Sequence, residues 1–331
     1  MIRNIKFRHI LVAGGAGFIG SNLCKVLVNS GCKVTCIDNL STGSLENIKE
    51  LKDNSHFNFI QFDIKDGHDT AHLVPIDLII NMACVASPKA YYKEPIDTLM
   101  TSVVGTRNLL ELARKLDVPM LQASTSEIYG DPALDILPES YSGNVSCTGP
   151  RACYDEGKRA AECLCMDYFR KYGVKVKIVR IFNTYGPNMA CGDGRAIPEF
   201  INRALSGKNI IIYGKGSQTR SFQYIDDTIK GLVAMLNSDE IIGRPINIGN
   251  PNEECSIRDL AQLIIDLLKS KSAIQYSDAL VDDPKKRKPD ITLAEQLLDW
   301  HPQTSLVDGL VKTIEYFKNN DRTSYNNRSI N

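Results

Sequence analysis

The sequence predicts an α/β protein: a doubly wound parallel sheet followed by a smaller C-terminal domain. Three observations predict it. Short apolar runs alternate with amphipathic stretches as far as residue 183, a glycine-rich turn joins the first run to the first amphipathic stretch, and beyond 183 Gly and Pro divide the chain into shorter elements.

In chain order the predicted strands are HILVAG (9–14), CKVTCID (32–38), FNFIQFD (57–63), DLIINMA (77–83), PMLQAST (119–125) and VKIVRIFN (176–183). Runs this short and continuously apolar suit strands covered on both faces. The helices between them span 17–29, 95–116 and 152–172, where apolar residues recur at three and four. After residue 183 come NIIIYGKGSQ (209–218), helices near 225–237, 257–269 and 305–318, and PINIGN (245–250), a strand able to return to the sheet. The division is therefore 1–183 with 225–250 returning to it, 184–318 mainly as a second domain, and 319–331 as a fraying tail with little to bury.

Composition narrows the function. The 331 residues suffice for two domains, and 43% hydrophobic with 24% charged residues excludes a disordered or fibrous chain. The 39 Lys+Arg cancel the 39 Asp+Glu, leaving no overall field to attract nucleic acid or an anionic membrane. No apolar run is long enough to cross a bilayer, and ten Cys without a secretory signal imply a reducing, cytoplasmic setting. No CxxC pair or HExxH points to a metal, and His68 and His72 read as solvated surface.

The turn is GGAGFIG, in which Gly14, Gly17 and Gly20 stand between an apolar strand and an apolar helix. Glycines let backbone approach a pyrophosphate, and the free amides of the helix start favour its charge. Asp38 ends the second strand 18 residues past Gly20, near the separation of about 20 at which a carboxylate binds the adenosine ribose. That carboxylate, followed by Asn39 and not a cation, selects NAD over its 2′-phosphorylated form. Asp63 ends the third strand in the same way, toward the adenine.

The fifth strand ends in Ser124, Thr125, Ser126 and Glu127, at the edge where open α/β sheets bind ligands. In YDEGK, Tyr154 and Lys158 share a helix face at i and i+4. A neighbouring ammonium and a cationic nicotinamide favour phenolate, so Tyr154 can exchange a proton with a sugar hydroxyl.

ASTSEIYGDP (123–132), GPRACYDEGKRAAE (149–162), RIFNTYGPNM (180–189), GSQTRSFQYIDD (216–227) and DDPKKRKPDI (282–291) together resemble one family. It is the extended short-chain dehydrogenase/reductases acting on nucleotide sugars, a Rossmann-type fold, and within it the UDP-glucuronate decarboxylases. The resemblance covers residues 9 to about 318. It implies that NAD oxidises C4 of UDP-glucuronate to a ketone β to the carboxylate. Departing CO2 then leaves an enolate, and UDP-xylose forms as NAD is regenerated.

In that scheme Thr125 holds the C4 oxygen, Tyr154 exchanges its proton, and Lys158 supports Tyr154 and the nicotinamide ribose. Glu127 orients either the C5 carboxylate or a water, and Arg287 joins the catalytic set. Cofactor contacts are implied at Gly14, Gly17, Phe18, Ile19, Asp38, Asn39, Thr42, Gly43, Asp63, Ile64, Ala83 and Thr101. Substrate contacts are implied at Tyr91, Ser126, Asn183, Arg195, Tyr213, Arg220, Gln223 and Arg287. The KKRK run (285–288) is accordingly read as a substrate segment and not a polyanion patch. A homodimer through helices 95–116 and 152–172 is implied as well.

Departures from the family pattern gather around the fourth strand: Ala13 for Thr, NMACVASPKAYY (81–92) for a run near HLASPASPPNYM, Asp97 and Met100 for lysines, and Ser102 for Asn. The rivals are a UDP-sugar 4-epimerase or 4,6-dehydratase on the same fold, and a non-catalytic NAD or nucleotide-sugar sensor. Ser126-Glu127 opposes the first two, and the Tyr154/Lys158 pair opposes the sensor.

Overall fold

Alternate residues of the first strand, β1 (His9–Ala13), serve two different cores: Ile10 and Val12 pack on one side of the sheet, Leu11 and Ala13 on the other. Only a strand covered on both faces needs every residue apolar. The computed structural model describes residues 5–67, 75–192, 194–279 and 284–328, with side chains to 319; His68 and His72 lie outside the described residues.

The elements that follow are α1 (Phe18–Asn29), β2 (Lys33–Asp38), β3 (Phe57–Gln61), β4 (Leu78–Asn81), α2 (Pro88–Lys93), α3 (Pro95–Met100), α4 (Thr106–Leu116), β5 (Met120–Thr125), α5 (Ala152–Tyr172), β6 (Val176–Ile181) and β7 (Thr184–Tyr185). Then come α6 (Ala196–Leu205), β8 (Ile210–Tyr213), β9 (Thr219–Ser221), β10 (Gln223–Tyr224), α7 (Ile225–Asn237), β11 (Pro245–Ile248), β12 (Glu254–Ser256), α8 (Ile257–Leu268), β13 (Ile274–Ser277), α9 (Thr292–Leu298) and α10 (Leu306–Arg328).

Seven parallel strands form the main sheet in the order β11-β6-β5-β4-β1-β2-β3. The order reverses beside β1, between β1 and β4, which opens the crevice that receives ligands in doubly wound sheets. Helices α4 and α5 supply Leu109, Leu110, Ala113, Cys165 and Tyr168 to one side, and α1 and α7 supply Leu23, Leu27, Leu232 and Met235 to the other. The PINIGN run does return: β11 lies against β6, Pro245 opposite Ile178.

Three two-stranded sheets, β7 with β10, β9 with β12 and β8 with β13, build the region beyond β6. Its apolar side chains, among them Phe200 and Ile201 of α6 and Leu260 and Ile264 of α8, are continuous with the α1 side of the main core. The stretch predicted as one helix over 95–116 is interrupted by a π-helical turn, Thr101–Gly105, between α3 and α4. Gly157 of α5 lies against that turn so closely that a Cβ there would meet the Ser102 Cβ at 3.1 Å. The last helix, predicted to end at 318, continues to Arg328.

Candidate active site

The turn between β1 and α1 shows why it is glycine. Gly14 has φ +74°, and a Cβ on it would fall 2.6 Å from the Ala83 backbone. A Cβ on Gly20 would fall 2.1 Å from the Gly14 carbonyl oxygen, so the helix closes onto the turn only without one. No side chain caps α1, whose first amides stay open to an anion.

Asp38, at the end of β2, accepts from Ala16 N at 3.0 Å and Leu40 N at 2.8 Å. Burial pushes its pKa up while those amides oppose the shift. Asp63 accepts from Asn39 Nδ2 at 2.8 Å and Lys65 N at 2.9 Å. Asp38, Asn39, Thr42, Asp63, Ile64, Ala83 and Thr101 line one small recess with Gly14 and Gly17. Gly43 sits behind it, against Asp38: a Cβ there would lie 2.9 Å from both carboxylate oxygens. A glycine-rich turn, an uncapped helix start and a carboxylate beyond them fit a dinucleotide.

A cleft of about 670 Å³ adjoins the recess. On its walls stand Phe18, Ile19, Tyr91, Thr125, Ser126, Glu127, Tyr154, Lys158, Asn183, Arg195, Tyr213, Arg220 and Arg287. They come from both sides of residue 183, so the β5 edge and the C-terminal region share one cavity. Gln223 does not reach it: the side chain is fully buried and donates to Thr228 Oγ1 at 2.7 Å. Ser124 lines the cleft but its hydroxyl is committed to Glu162 Oε1 at 2.5 Å.

Thr125 ends β5, and its Oγ1 accepts from Glu127 N at 3.2 Å. The same side chain hydrogen-bonds Tyr154, which lowers the phenol's pKa against a larger upward push from burial. Lys158 Nζ donates to the Ala123 carbonyl at 2.9 Å, anchoring α5 to β5. Tyr154 stacks on Tyr91, ring centroids 5.4 Å apart.

Glu127 is the electrostatic centre. Arg287 donates through both terminal nitrogens, Nη2 to Oε2 at 2.5 Å, and Arg151 adds a further hydrogen bond to Oε2. Burial opposes the carboxylate, yet Arg287 and Arg151 outweigh it and hold its pKa at about 2. Asp155 shows the reverse balance: burial and the Glu127 charge push it up to about 7 despite Arg151. Of the KKRK run only Arg287 turns inward, 2% exposed, while Lys286 pairs with Asp135 at 3.0 Å and Lys288 with Glu254 at 3.6 Å.

Sequence reasoning passed over Arg151 and Asp155. The available signal was positional, since a cation at the start of α5 opposes the helix dipole and requires nearby carboxylates.

Residues 10–249 match the NAD dependent epimerase/dehydratase family. This chain belongs to that family. UDP-glucuronic acid decarboxylase 1 of Danio rerio is 45% identical over 323 residues, 98% of this chain and 76% of that protein. UDP-glucuronic acid decarboxylase 5 of Arabidopsis thaliana is 43% identical over 96% of this chain and 92% of that one. Among solved structures of the family, the Bacillus cereus UDP-glucuronic acid 4-epimerase in complex with UDP-glucuronic acid and NAD superposes with a TM-score of 0.85. It is 32% identical over 94% of this chain and 99% of that chain. As in the rest of the epimerase/dehydratase family, the cofactor is NAD. Among the described residues no cluster of three or more His, Cys, Asp or Glu could hold a metal, and no helix is long and apolar enough to cross a membrane.

Proposed function

We propose that this chain is a carboxy-lyase that converts UDP-glucuronate to UDP-xylose and CO2 through a 4-keto sugar. The carrying observation is the juxtaposition of Glu127 and its two guanidiniums with the Thr125–Tyr154 pair, in a chain 42–45% identical to UDP-glucuronic acid decarboxylases. NAD, when bound, supplies the hydride acceptor at C4 and the donor that restores it.

The chain's own residues handle protons and charge. Tyr154, hydrogen-bonded to Thr125, exchanges the proton of the C4 hydroxyl, and Lys158, four residues on along α5 with its Nζ on the Ala123 carbonyl, carries the ammonium. Once C4 is a ketone, the C5–C6 bond can break with its electrons delocalised onto the C4 oxygen. Thr125 and neutral Tyr154 donate hydrogen bonds to that enolate oxygen.

Glu127, with its pKa held at about 2, is no proton donor near neutrality. An anion beside an anionic substrate, it serves best by orienting the water that delivers a proton to C5. Arg220, and Arg287 where it turns from Glu127, offer guanidinium forks to the sugar's carboxylate or the diphosphate. Tyr91, Ser126, Asn183, Arg195 and Tyr213 line the nucleotide-sugar side. Gln223 acts only from behind.

The same reading makes the protein a homodimer through α3, α4 and α5, supported by Ile96 and Met100 of α3, which are 76% and 41% exposed. It also places the protein in the cytoplasm, supported by ten free cysteines. Incubation with UDP-glucuronate and NAD, followed by proton NMR, tests the activity. A xylose spin system and released CO2 are expected; conversion to the C4 epimer alone overturns the reading in favour of a 4-epimerase. A monomer in sedimentation at micromolar concentration overturns the dimer.

A further inference from the structure

Arg151 immediately precedes α5, where the positive end of the helix dipole disfavours a cation. Two carboxylates hold it there: an Nη donates to Glu127 Oε2, and Nε stands 3.7 Å from Asp155 Oδ2, one turn further on. Its guanidinium also lies over the Tyr91 ring, 5.8 Å from the centroid, and that ring stacks on Tyr154. The side chain is 12% exposed and reaches the cleft wall.

Glu127 thus has two guanidinium partners of different standing. Arg287 belongs to the segment after residue 284, which lies between 131–139 and β9, held by backbone bonds such as Leu137 N to Lys288 O at 2.9 Å and Ser221 N to Arg287 O at 3.2 Å and by side-chain bonds of Asp131 and Asp135 to Lys285 N and Lys286 Nζ. Arg151 belongs to the start of the helix that also carries Tyr154 and Lys158. Any turn of Arg287 toward a substrate oxyanion weakens its grip on Glu127; Arg151 is bound to the catalytic helix and stays.

We propose that Arg151 is a positioning residue that keeps Glu127 ionised and aimed into the cleft when Arg287 engages substrate. This rests on the decarboxylase reading for the identity of the substrate, but the hold on Glu127 is a property of the free protein. The charged and titratable groups around Glu127 are Arg287, Arg151, Arg220, Asp155, Tyr154 and Tyr91.

The test is a double-mutant cycle on the full chain with NAD and UDP-glucuronate: Arg151→Met and Arg151→Lys, each alone and with Glu127→Gln. Arg151→Met is expected to lower kcat about tenfold or more with KM changed less than about threefold. It should raise the pH of the acid limb, and Arg151→Lys should restore part of that limb by keeping the charge. In the Glu127→Gln background either change at 151 should add no more than about twofold, because the residue through which it acts is gone.

Multiplicative losses in that background, or an acid limb unmoved by Arg151→Met, overturn the proposal. If Met at 151 prevents folding, the Lys variant carries the same non-additivity test. Carbon-13 titration of the Glu127 carboxyl, assigned by its disappearance in Glu127→Gln, separates the two ideas. A pKa that does not rise in either 151 variant refutes the positioning role. An active hold on Glu127 in a protein that leaves UDP-glucuronate intact refutes only the decarboxylase reading.

Discussion

Arg287 and Glu127, 160 residues apart in the chain, meet with both terminal guanidinium nitrogens on both carboxylate oxygens. This forked pair ties the end of β5 to the C-terminal region across the cleft floor. It makes the geometry of the site depend on the docking of residues far outside the main sheet.

Removing one member of a buried pair strands the other. Arg287→Ala should destabilise the fold by about 3 kcal/mol, toward the lower end for such pairs because Arg151 still partners Glu127. Urea unfolding checks this. Arg287→Lys should retain most of the stability yet lose about a hundredfold in decarboxylation, since an ammonium cannot reproduce the fork.

Tyr154→Phe keeps the ring that stacks on Tyr91 and removes only the hydroxyl. Turnover of UDP-glucuronate should fall about 10²- to 10⁴-fold with NAD still bound. The check is proton NMR of the sugar nucleotide together with the NAD content of the purified variant.

Gly20→Ala places a methyl 2.1 Å from the Gly14 carbonyl oxygen, which is backbone and has no rotamer by which to yield. The turn must open, so NAD affinity should drop at least about tenfold, with roughly 1–3 kcal/mol lost from stability. Fluorescence titration with NAD measures the first and thermal unfolding the second.

Two carboxylates should give stability opposite pH slopes. The folded pKa of Glu127, about 2, lies below its ordinary 4.5, so its contribution is complete above pH 4.5 and is lost as pH falls toward 2. Asp155 rises from 3.8 to about 7; between those values the folded state binds the extra proton, and stability declines as pH increases through the window. Thermal midpoints of Asp155→Asn between pH 4 and 7 should lose that decline. A wild-type slope in this variant counts against the assignment.

The sheet was legible because its strands are buried on both faces: in HILVAG residues 10–13 are all apolar, and they alternate between two cores. The dinucleotide turn was legible for the same kind of local reason, since Gly14 and Gly20 are dictated by backbone contacts within a few residues or across one strand. Thr125, Tyr154 and Lys158 could be paired from their places at a strand end and on one helix face. What stayed hidden depends on long-range side-chain partners. Ser124 is taken by Glu162, Gln223 faces Thr228 and not the cleft, and Arg151 gains its meaning only from Glu127. The π-helical turn at Thr101–Gly105 was invisible because apolar periodicity continues through it.

The pairing of β11 with β6 bears on how the protein is made. Until residues 245–248 leave the ribosome, β6 is an open sheet edge with Ile178, Val179 and Ile181 unpaired on that side. A fragment cut at residue 183 would carry this edge permanently and invite strand addition from another copy. The first six strands are contiguous in sequence, yet they mature only together with the segment that closes them, and a truncation at the apparent boundary would be an aggregation hazard.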